Sequence, residues 1–170
     1  ERMLRNYSEP EIRRLEAIHL NTGRSQMEHK VLQAIFWLGE ATFPAETASK
    51  FAHLSIAFES AVGGDASGDE LLRDIGITQM LAERTAFLLG SNLESRKRIH
   101  RAVSRLYGSR SRVMHGESAP VSEGDLAQWA WLVWSSVRAA LDLSSRLSTV
   151  EEFAHWVREQ RYTLPEESVP

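Results

Sequence analysis

The most informative stretch of the chain is Leu106-Tyr107-Gly108-Ser109-Arg110-Ser111-Arg112-Val113-Met114-His115-Gly116. It places an Arg and a His five residues apart, at the end of a predicted basic helix that a Gly closes. Arg can hold a phosphate through two parallel charged hydrogen bonds, and His can move a proton near neutral pH. The pair therefore suits phosphodiester chemistry without a metal. The same spacing occurs at Arg14/His19 and Arg24/His29, so the surroundings must separate the three pairs.

Basic side chains are concentrated on the predicted helix 91–114, which we call the motif helix. Residues 96–112 include seven basic side chains and no acidic one, although the 170-residue chain has a net charge of −3. Such asymmetry indicates a local anion-binding surface on an otherwise acidic protein. It is also compatible with a solvated helix face whose cations pair with acidic neighbours. The other two Arg/His pairs lie outside any basic run, and we interpret them as surface residues.

The composition limits the class of protein. A chain of 170 residues is long enough for one domain with its own core. It has no cysteine, which excludes disulfides and a thiolate zinc site and fits a reducing cytoplasm. No apolar run approaches membrane-spanning length, and no signal peptide is visible. We therefore expect a cytoplasmic protein without membrane association. Because the chain starts at Glu1, we also expect an upstream segment.

Helical periodicity dominates, and no convincing alternating strand pattern occurs. The pattern predicts an all-α bundle of about six to seven helices with no sheet. Capping-box pairs at Ser8/Glu11 and Ser91/Glu94 mark two helix starts. The predicted helices are 10–20, 25–41, one with Pro44 in its first turn, one ending at 89, the motif helix, 122–145 and one after 148. The predicted organisation is an N-terminal helical extension at 1–24, a helical domain at 25–162 and a disordered tail at 163–170.

Arg110 interrupts the apolar stripe of the motif helix. The stripe runs through Ile99, Val103, Leu106 and Val113, and its rhythm of three and four residues has a gap at position 110. A buried, unpaired guanidinium would be very costly. We therefore expect Arg110 to have a carboxylate partner, to face a cleft, or to lie at a subunit interface.

His115 ends a second stripe, of small residues at Ser104, Gly108 and Ser111. Such a stripe lets a ligand or another backbone approach the helix closely. The alternative interpretation is that the small residues allow close packing between helices. Gly108 inside a helix costs roughly 1 kcal/mol relative to Ala, so we expect it to serve packing or function. On a straight helix, residues five apart point about 140° from one another. Arg110 and His115 therefore converge only where the last turn unwinds or the Arg side chain reaches around.

The motif stretch resembles the signature of HEPN domains, which are α-helical bundles marked by Arg, four to six residues, and His. Its order of Leu-Tyr, two residues, Arg-Ser, three residues and His-Gly is similar to the ApeA-like branch of that family. Three further segments resemble that branch in the same order along the chain: 35–38 its Trp helix, 51–60 its central helix, and 83–90 the segment before the motif helix. The resemblance covers roughly residues 25 to 145.

The resemblance implies a HEPN-like bundle, a homodimer in which two motif helices meet, and metal-independent RNA cleavage. Arg110 and His115 would be the catalytic residues. Arg110 would bind the scissile phosphate, and His115 would act as general acid or base while the ribose 2′-OH attacks. Glu59 would orient Arg110, and Tyr107 would pack or bond beneath the site. Ser111 would be the polar helper, at a position where other HEPN domains often have Asn, Asp or His.

The resemblance also points to partners. Arg101, Arg105 and Arg112 are the expected RNA-binding residues, and no metal or cofactor is expected. The setting that it suggests is the effector part of a larger defence or toxin protein. An upstream domain or a cognate regulator would then be a further partner.

Two other functions stay open. The first is a non-catalytic module of the same fold, in which the small-residue stripe and the Trp-rich helix (Trp129, Trp131, Trp134) form a dimer or partner interface. The second is binding of a nucleotide or another small anion. It lacks a phosphate loop, because Gly63-Gly64 is not followed by Lys and Ser or Thr. Metal hydrolysis and serine nucleophile chemistry also lack their motifs, His-Glu-x-x-His and the nucleophile elbow.

Overall fold

The computed structural model describes residues 7–63, 76–110, 113 and 121–162. These residues form seven α-helices and contain no strand. The helices are α1 (Glu9–Leu20), α2 (Gln26–Glu40), α3 (Thr47–Val62), α4 (Ile77–Leu89), α5 (Leu93–Gly108), α6 (Glu123–Leu143) and α7 (Val150–Tyr162). The predicted all-α bundle is confirmed. None of these seven helices is long and apolar enough to cross a membrane.

Local side-chain hydrogen bonds explain where the first two helices begin. Ser25 precedes α2, and its hydroxyl accepts from the Glu28 N–H at 3.1 Å. The Glu28 carboxylate accepts from the Ser25 N–H at 2.9 Å, which completes a capping box. At the start of α1, the Ser8 N–H donates to the Glu11 carboxylate at 2.6 Å, as the sequence predicts.

The start of α3 differs from the prediction. Pro44 was expected in its first turn, but the helix begins at Thr47, with Glu46 as its N-cap. Residues 41–43 are still bonded to the end of α2, since the N–H of Thr42 donates to the carbonyl of Gly39 at 3.0 Å. Pro44 therefore lies in the connection between the two helices.

The cap of α5 also lies one residue later than predicted. Asn92 and Ser95 form the capping box, rather than Ser91 and Glu94. The Asn92 side chain accepts from the Ser95 N–H at 2.9 Å, and the Ser95 hydroxyl accepts from the Asn92 N–H at 3.0 Å. Asn caps a helix about as well as Ser, so a Ser with a Glu three residues on was not the only possible start.

The helix that carries the motif is interrupted near its predicted end. It was expected to run to about 114, and its first part ends at Gly108, but Arg110 and Val113 are helical again, with the Val113 N–H donating to the carbonyl of Ser109 at 3.1 Å. The Ser109 N–H donates to the carbonyl of Leu106 at 3.1 Å, a bond over three residues that tightens the turn. This tighter turn separates Arg110 from the straight part of α5.

Aromatic side chains from α3, α5 and α6 meet in the core beneath that turn. Trp129 is fully buried, and its ring centroid lies 4.7 Å from Phe58, 5.8 Å from Phe51 and 6.4 Å from Tyr107. Its indole N–H donates to the Ser55 hydroxyl at 3.3 Å, which satisfies the one polar atom of the ring. The cluster fixes the relative positions of the three helices.

The first and last helices extend this core. Leu15 and Ile18 of α1 are buried in the same cluster as residues of α2, α3, α5 and α6, and Arg138 of α6 pairs with Glu11 of α1 at 2.6 Å. α7 packs over a smaller apolar cluster. The domain boundary at 24/25 stays a prediction. The predicted tail, 163–170, lies outside the described residues.

Candidate active site

Glu59, Tyr107 and Arg110 lie together where α3 meets the end of α5. Nε of Arg110 lies 2.7 Å from Oε1 of Glu59, and Nη2 donates to Oε2 at 3.2 Å. The Tyr107 hydroxyl donates to the same carboxylate at 2.9 Å. One carboxylate thus holds both a guanidinium and a phenol, and charge-assisted bonds of this kind are the stronger ones.

The Tyr107 ring is fixed from below by the aromatic core. It is buried, with its centroid 6.1 Å from Phe58 and 6.4 Å from Trp129. Burial, followed by the nearby Glu59 carboxylate, raises the pKa of the Tyr107 hydroxyl well above its ordinary value. The phenol therefore stays protonated at neutral pH and can act as a donor to Glu59.

Only part of the Arg110 guanidinium is bonded to Glu59. Nε and Nη2 form the side edge of the guanidinium, and both contact Glu59. Over the described part of the chain, no acceptor bonds Nη1, and the side chain is 34% exposed. Its guanidinium carbon also lies 5.7 Å from the centre of the Tyr107 ring. Arg110 is thus held in place, partly exposed, with one terminal nitrogen that no described residue uses, an arrangement that can receive an anion.

The structure brings together three of the predicted site residues. The carboxylate partner expected for Arg110 is present, and it is Glu59, the residue that the resemblance named. Tyr107 bonds that carboxylate, as expected for a residue beneath the site. Their parts in catalysis stay predictions. His115, Ser111 and Arg112 lie outside the described residues.

The remaining predicted RNA-binding residues lie on α5 in different situations. Arg101 is exposed, and its Nε donates to the backbone carbonyl of Lys97 at 3.3 Å. Arg105 is paired with α6, because Nη1 donates to Asp125 at 2.5 Å and Nη2 to the Gln128 side chain at 2.7 Å. In the described structure Arg101 therefore has no side-chain acceptor, whereas both terminal nitrogens of Arg105 have one.

Gly108 has no close neighbour in the described structure. A Cβ placed on it would meet nothing within 4 Å. Close packing between the described helices therefore does not explain this Gly, which is exposed at the end of α5.

The two other Arg/His pairs serve local structure. Arg24 donates to the backbone carbonyls of Asn21 at 2.8 Å and His19 at 3.0 Å, which satisfies the end of α1. Arg14 donates to the Ser144 hydroxyl at 3.2 Å. His19 and His29 are both exposed, in agreement with their interpretation as surface residues.

Arg84 is a buried residue that the sequence reasoning missed. Only 1% of it is exposed, and Nη1 donates to the carbonyl of Val62, the last residue of α3, at 3.1 Å. Its signal was present in the sequence, because Arg84 interrupts an apolar helix face as Arg110 does. An Arg that interrupts an apolar stripe is thus predicted to have a polar partner. The pattern alone does not tell whether that Arg serves function or structure.

No family model matches the chain, and no curated protein or solved structure matches it.

Proposed function

We propose that this chain is a metal-independent endoribonuclease of HEPN type that acts as a homodimer, with Arg110 and His115 of both subunits in one cleft. The observation that carries the proposal is the orientation of Arg110. Its side edge is held by Glu59 while Nη1 has no acceptor among the described residues. A guanidinium fixed in this way is preorganised for an anion, because the arrangement of donors precedes binding.

Arg110 would bind the non-bridging oxygens of the scissile phosphate through Nη1 and the outer face of Nη2. These oxygens gain negative charge as the 2′-oxygen approaches phosphorus, so the contact becomes stronger in the transition state. Glu59 would keep the guanidinium from rotating away, and Tyr107 would keep Glu59 in place. Glu59 and Tyr107 are positioning residues in this account, since neither needs to touch the RNA.

His115 would transfer the protons. The ribose 2′-OH loses its proton as its oxygen bonds to phosphorus, and the 5′-oxygen gains one as its bond to phosphorus breaks. The products are a 2′,3′-cyclic phosphate and a 5′-hydroxyl. The reaction needs one base and one acid, and each subunit has one motif His. A cleft shared by two subunits would supply both.

The basic face of α5 would guide RNA to this cleft. Lys97, Arg98 and Arg101 are exposed on that helix, and Arg112 follows it in the sequence. Such a face attracts a polyanion over a distance set by the salt concentration. The effector part of a defence or toxin protein in the cytoplasm is the setting that fits this activity.

The test is cleavage of a labelled single-stranded RNA by the purified protein in excess EDTA. We expect cleavage by the wild type and its loss, by on the order of a hundredfold or more, in Arg110→Ala and His115→Ala. His19→Ala and His29→Ala are matched controls, since each removes an exposed His that belongs to an Arg/His pair of the same spacing. Both controls should cleave as the wild type does.

Two results would overturn the proposal. The first is an absence of cleavage by wild-type protein that is folded and dimeric. The second is equal cleavage by the wild type and both motif variants, which would assign the activity to a contaminant. Circular dichroism of each variant checks that a loss of activity is not a loss of fold.

A non-catalytic dimerisation or partner-binding module is the second candidate. It is favoured by Trp131, which is 57% exposed on α6, and by the open space at Gly108. Large exposed aromatics are enriched at protein interfaces. Light scattering at roughly tens of micromolar protein tests both candidates, because a monomer at that concentration contradicts each of them. A dimer that leaves RNA intact would favour the module.

A further inference from the structure

Arg105 links the last turns of α5 to the first turns of α6. Nη1 donates to Oδ1 of Asp125 at 2.5 Å, and Nη2 donates to Oε1 of Gln128 at 2.7 Å. Asp125 and Gln128 are one turn apart on α6, so a single guanidinium spans that turn. We call these three residues the Arg105 bridge.

The α6 end of the bridge is part of the helix cap. The other oxygen of Asp125 accepts from the Ser122 hydroxyl at 2.8 Å, and the Asp125 N–H donates to that hydroxyl at 3.0 Å. Hydrogen bonds from Arg105 and Ser122 lower the pKa of Asp125 below its ordinary value, so the carboxylate is charged at neutral pH. Arg105 therefore bonds the residue that is itself bonded to Ser122, the N-cap of α6.

The α5 end of the bridge adjoins the turn that precedes Arg110. The carbonyl of Arg105 accepts from the Ser109 hydroxyl at 3.3 Å, at the point where the regular helix gives way to the tighter turn. In the sequence, residues 111–121 lie between this turn and Ser122, and they include His115. The bridge thus joins the two chain ends from which the motif His extends.

The geometry of Arg105 is unlike that of Arg110. A bidentate phosphate contact uses two neighbouring nitrogens of a guanidinium, of which at least one is terminal. In Arg105 both terminal nitrogens already donate to α6, whereas in Arg110 Nη1 has no acceptor in the described structure. A bidentate RNA contact by Arg105 would therefore involve a nitrogen that is already bonded to Asp125 or Gln128.

We propose that Arg105 is a positioning residue, which acts through Asp125 and Gln128 to hold the two ends of segment 111–121, and not an RNA ligand. The proposal rests on the proposed function for its effect on turnover, but the positioning itself can be measured without activity. The ion pair is exposed on the Arg105 side, so it contributes little to global stability. Its effect is local to the two helix ends that it joins.

The two roles predict opposite effects of Asp125→Ala. If Arg105 binds RNA, removing Asp125 frees the guanidinium and lowers the KM for RNA. If Arg105 positions the segment, Asp125→Ala acts as Arg105→Ala does and lowers kcat. The double variant Arg105→Ala/Asp125→Ala also distinguishes the two roles. If both residues act in one bridge, the loss of kcat in the double variant is smaller than the two single losses combined. Arg101→Ala provides the contrast of an exposed cation on α5, whose loss should raise KM at nearly constant kcat.

The experiment combines kinetics with hydrogen exchange on the full chain. We expect Arg105→Ala, Asp125→Ala and the double variant each to lower kcat about two- to tenfold, with KM changed less than about twofold. Peptides covering 106–126 should exchange about two- to fivefold faster in all three variants. Exchange in Arg101→Ala should match the wild type, and the Tm of each variant should stay within about 3 °C.

The outcomes separate this proposal from the proposed function. If the wild type does not cleave RNA, the proposed function fails, and the exchange data alone decide whether Arg105 positions the segment. Unchanged exchange in Arg105→Ala and Asp125→Ala overturns the positioning role in either case. In an active protein, a lower KM or an unchanged kcat in Asp125→Ala also overturns it. Exposed Arg13→Ala, which removes an ion pair with Glu9 on α1, controls for loss of surface charge.

Discussion

Arg110 forms a bidentate ion pair with Glu59, with Nε 2.7 Å from Oε1 and Nη2 donating to Oε2 at 3.2 Å. The same carboxylate accepts from the hydroxyl of Tyr107, and the Tyr107 ring packs against Trp129. The chain of contacts from core to surface is therefore continuous. It ends on a terminal nitrogen of Arg110 that has no acceptor within the described ranges.

Glu59→Gln should lower activity more than stability. The amide keeps the shape but loses the charge, so Arg110 is held less firmly and kcat falls on the order of tenfold. The exposed part of the pair limits the loss of unfolding free energy to about 1 kcal/mol. Urea denaturation and single-turnover cleavage measure the two quantities.

Glu83→Gln is the matched control for this variant. Glu83 also binds a guanidinium through both oxygens, since Arg161 contacts it at 2.7 Å twice. That pair lies between α4 and α7 and includes no residue of the motif. Its loss should lower stability by a similar amount and leave cleavage unchanged. Equal losses of activity in Glu59→Gln and Glu83→Gln would assign the effect to general destabilisation.

Tyr107→Phe should destabilise the protein by about 1 kcal/mol, because it removes one hydrogen bond to a carboxylate and keeps the ring. The pKa of Tyr107 is raised in the folded protein. The hydroxyl therefore contributes its full share of the free energy of unfolding below about pH 10, the ordinary pKa, and loses it only as the pH rises through the pKa of the folded state. The difference between variant and wild type should therefore be constant from pH 6 to about pH 9. Chemical denaturation across that range measures it.

Tyr7→Phe is the control for the phenol. Tyr7 is also buried, but its hydroxyl has no hydrogen-bond partner in the described structure. Removing an unsatisfied hydroxyl relieves a desolvation penalty, so Tyr7→Phe should be neutral or slightly stabilising. A loss of stability equal to that of Tyr107→Phe would contradict the role of the Glu59 bond.

The two tryptophans of α6 should respond differently to truncation. Trp129→Ala opens a cavity beneath the site and should cost about 3–5 kcal/mol. Trp131→Ala removes an exposed ring and should change stability by no more than about 0.5 kcal/mol. Thermal denaturation of the two variants tests this contrast. A shift from dimer to monomer in Trp131→Ala would place the subunit interface on α6.

The pKa of Asp125 should depend on Arg105. Hydrogen bonds from Arg105 and Ser122 depress it in the folded protein, so the stability that it contributes is present above the unfolded pKa and lost as the pH falls through the folded value. Arg105→Ala should raise the pKa of Asp125 toward its ordinary value. A carboxyl-detected NMR titration between about pH 2 and 6 measures the change. An unchanged pKa would show that the bridge does not form in solution.

The ion pair of Arg110 was predictable from the sequence because a cation in an apolar stripe must find a partner. The stripe alone left three possibilities open, and only the arrangement of α3 against α5 selects the carboxylate. The same logic applies to Arg84, whose partner at the end of α3 depends on tertiary packing. Helical periodicity indicates which face of a helix is buried. It does not indicate which residues of the neighbouring helix lie against that face.

The bounds of the helices show where local signals compete. Ser8 was identified as a cap because it precedes Glu11 at the right spacing, and the structure shows the same relation between Ser25 and Glu28. At the start of α5, Ser91 and Asn92 were both acceptable caps, and the structure uses Asn92. The interruption at Ser109 was not predicted, because it depends on backbone geometry that apolar spacing does not report. The Arg105 bridge was missed because it joins residues 20 and 23 positions apart.

The most direct test of the account uses a DNA oligonucleotide with a single ribonucleotide, incubated with the protein in EDTA. Only that nucleotide has a 2′-OH, so we predict one cut on its 3′ side, with a 2′,3′-cyclic phosphate and a 5′-hydroxyl as the new ends. Arg110→Lys should lose most of this activity, because an ammonium group cannot hold Glu59 and a phosphate with separate fixed edges. Cleavage at deoxyribonucleotides, a requirement for a divalent metal, or full activity of Arg110→Lys would contradict the account.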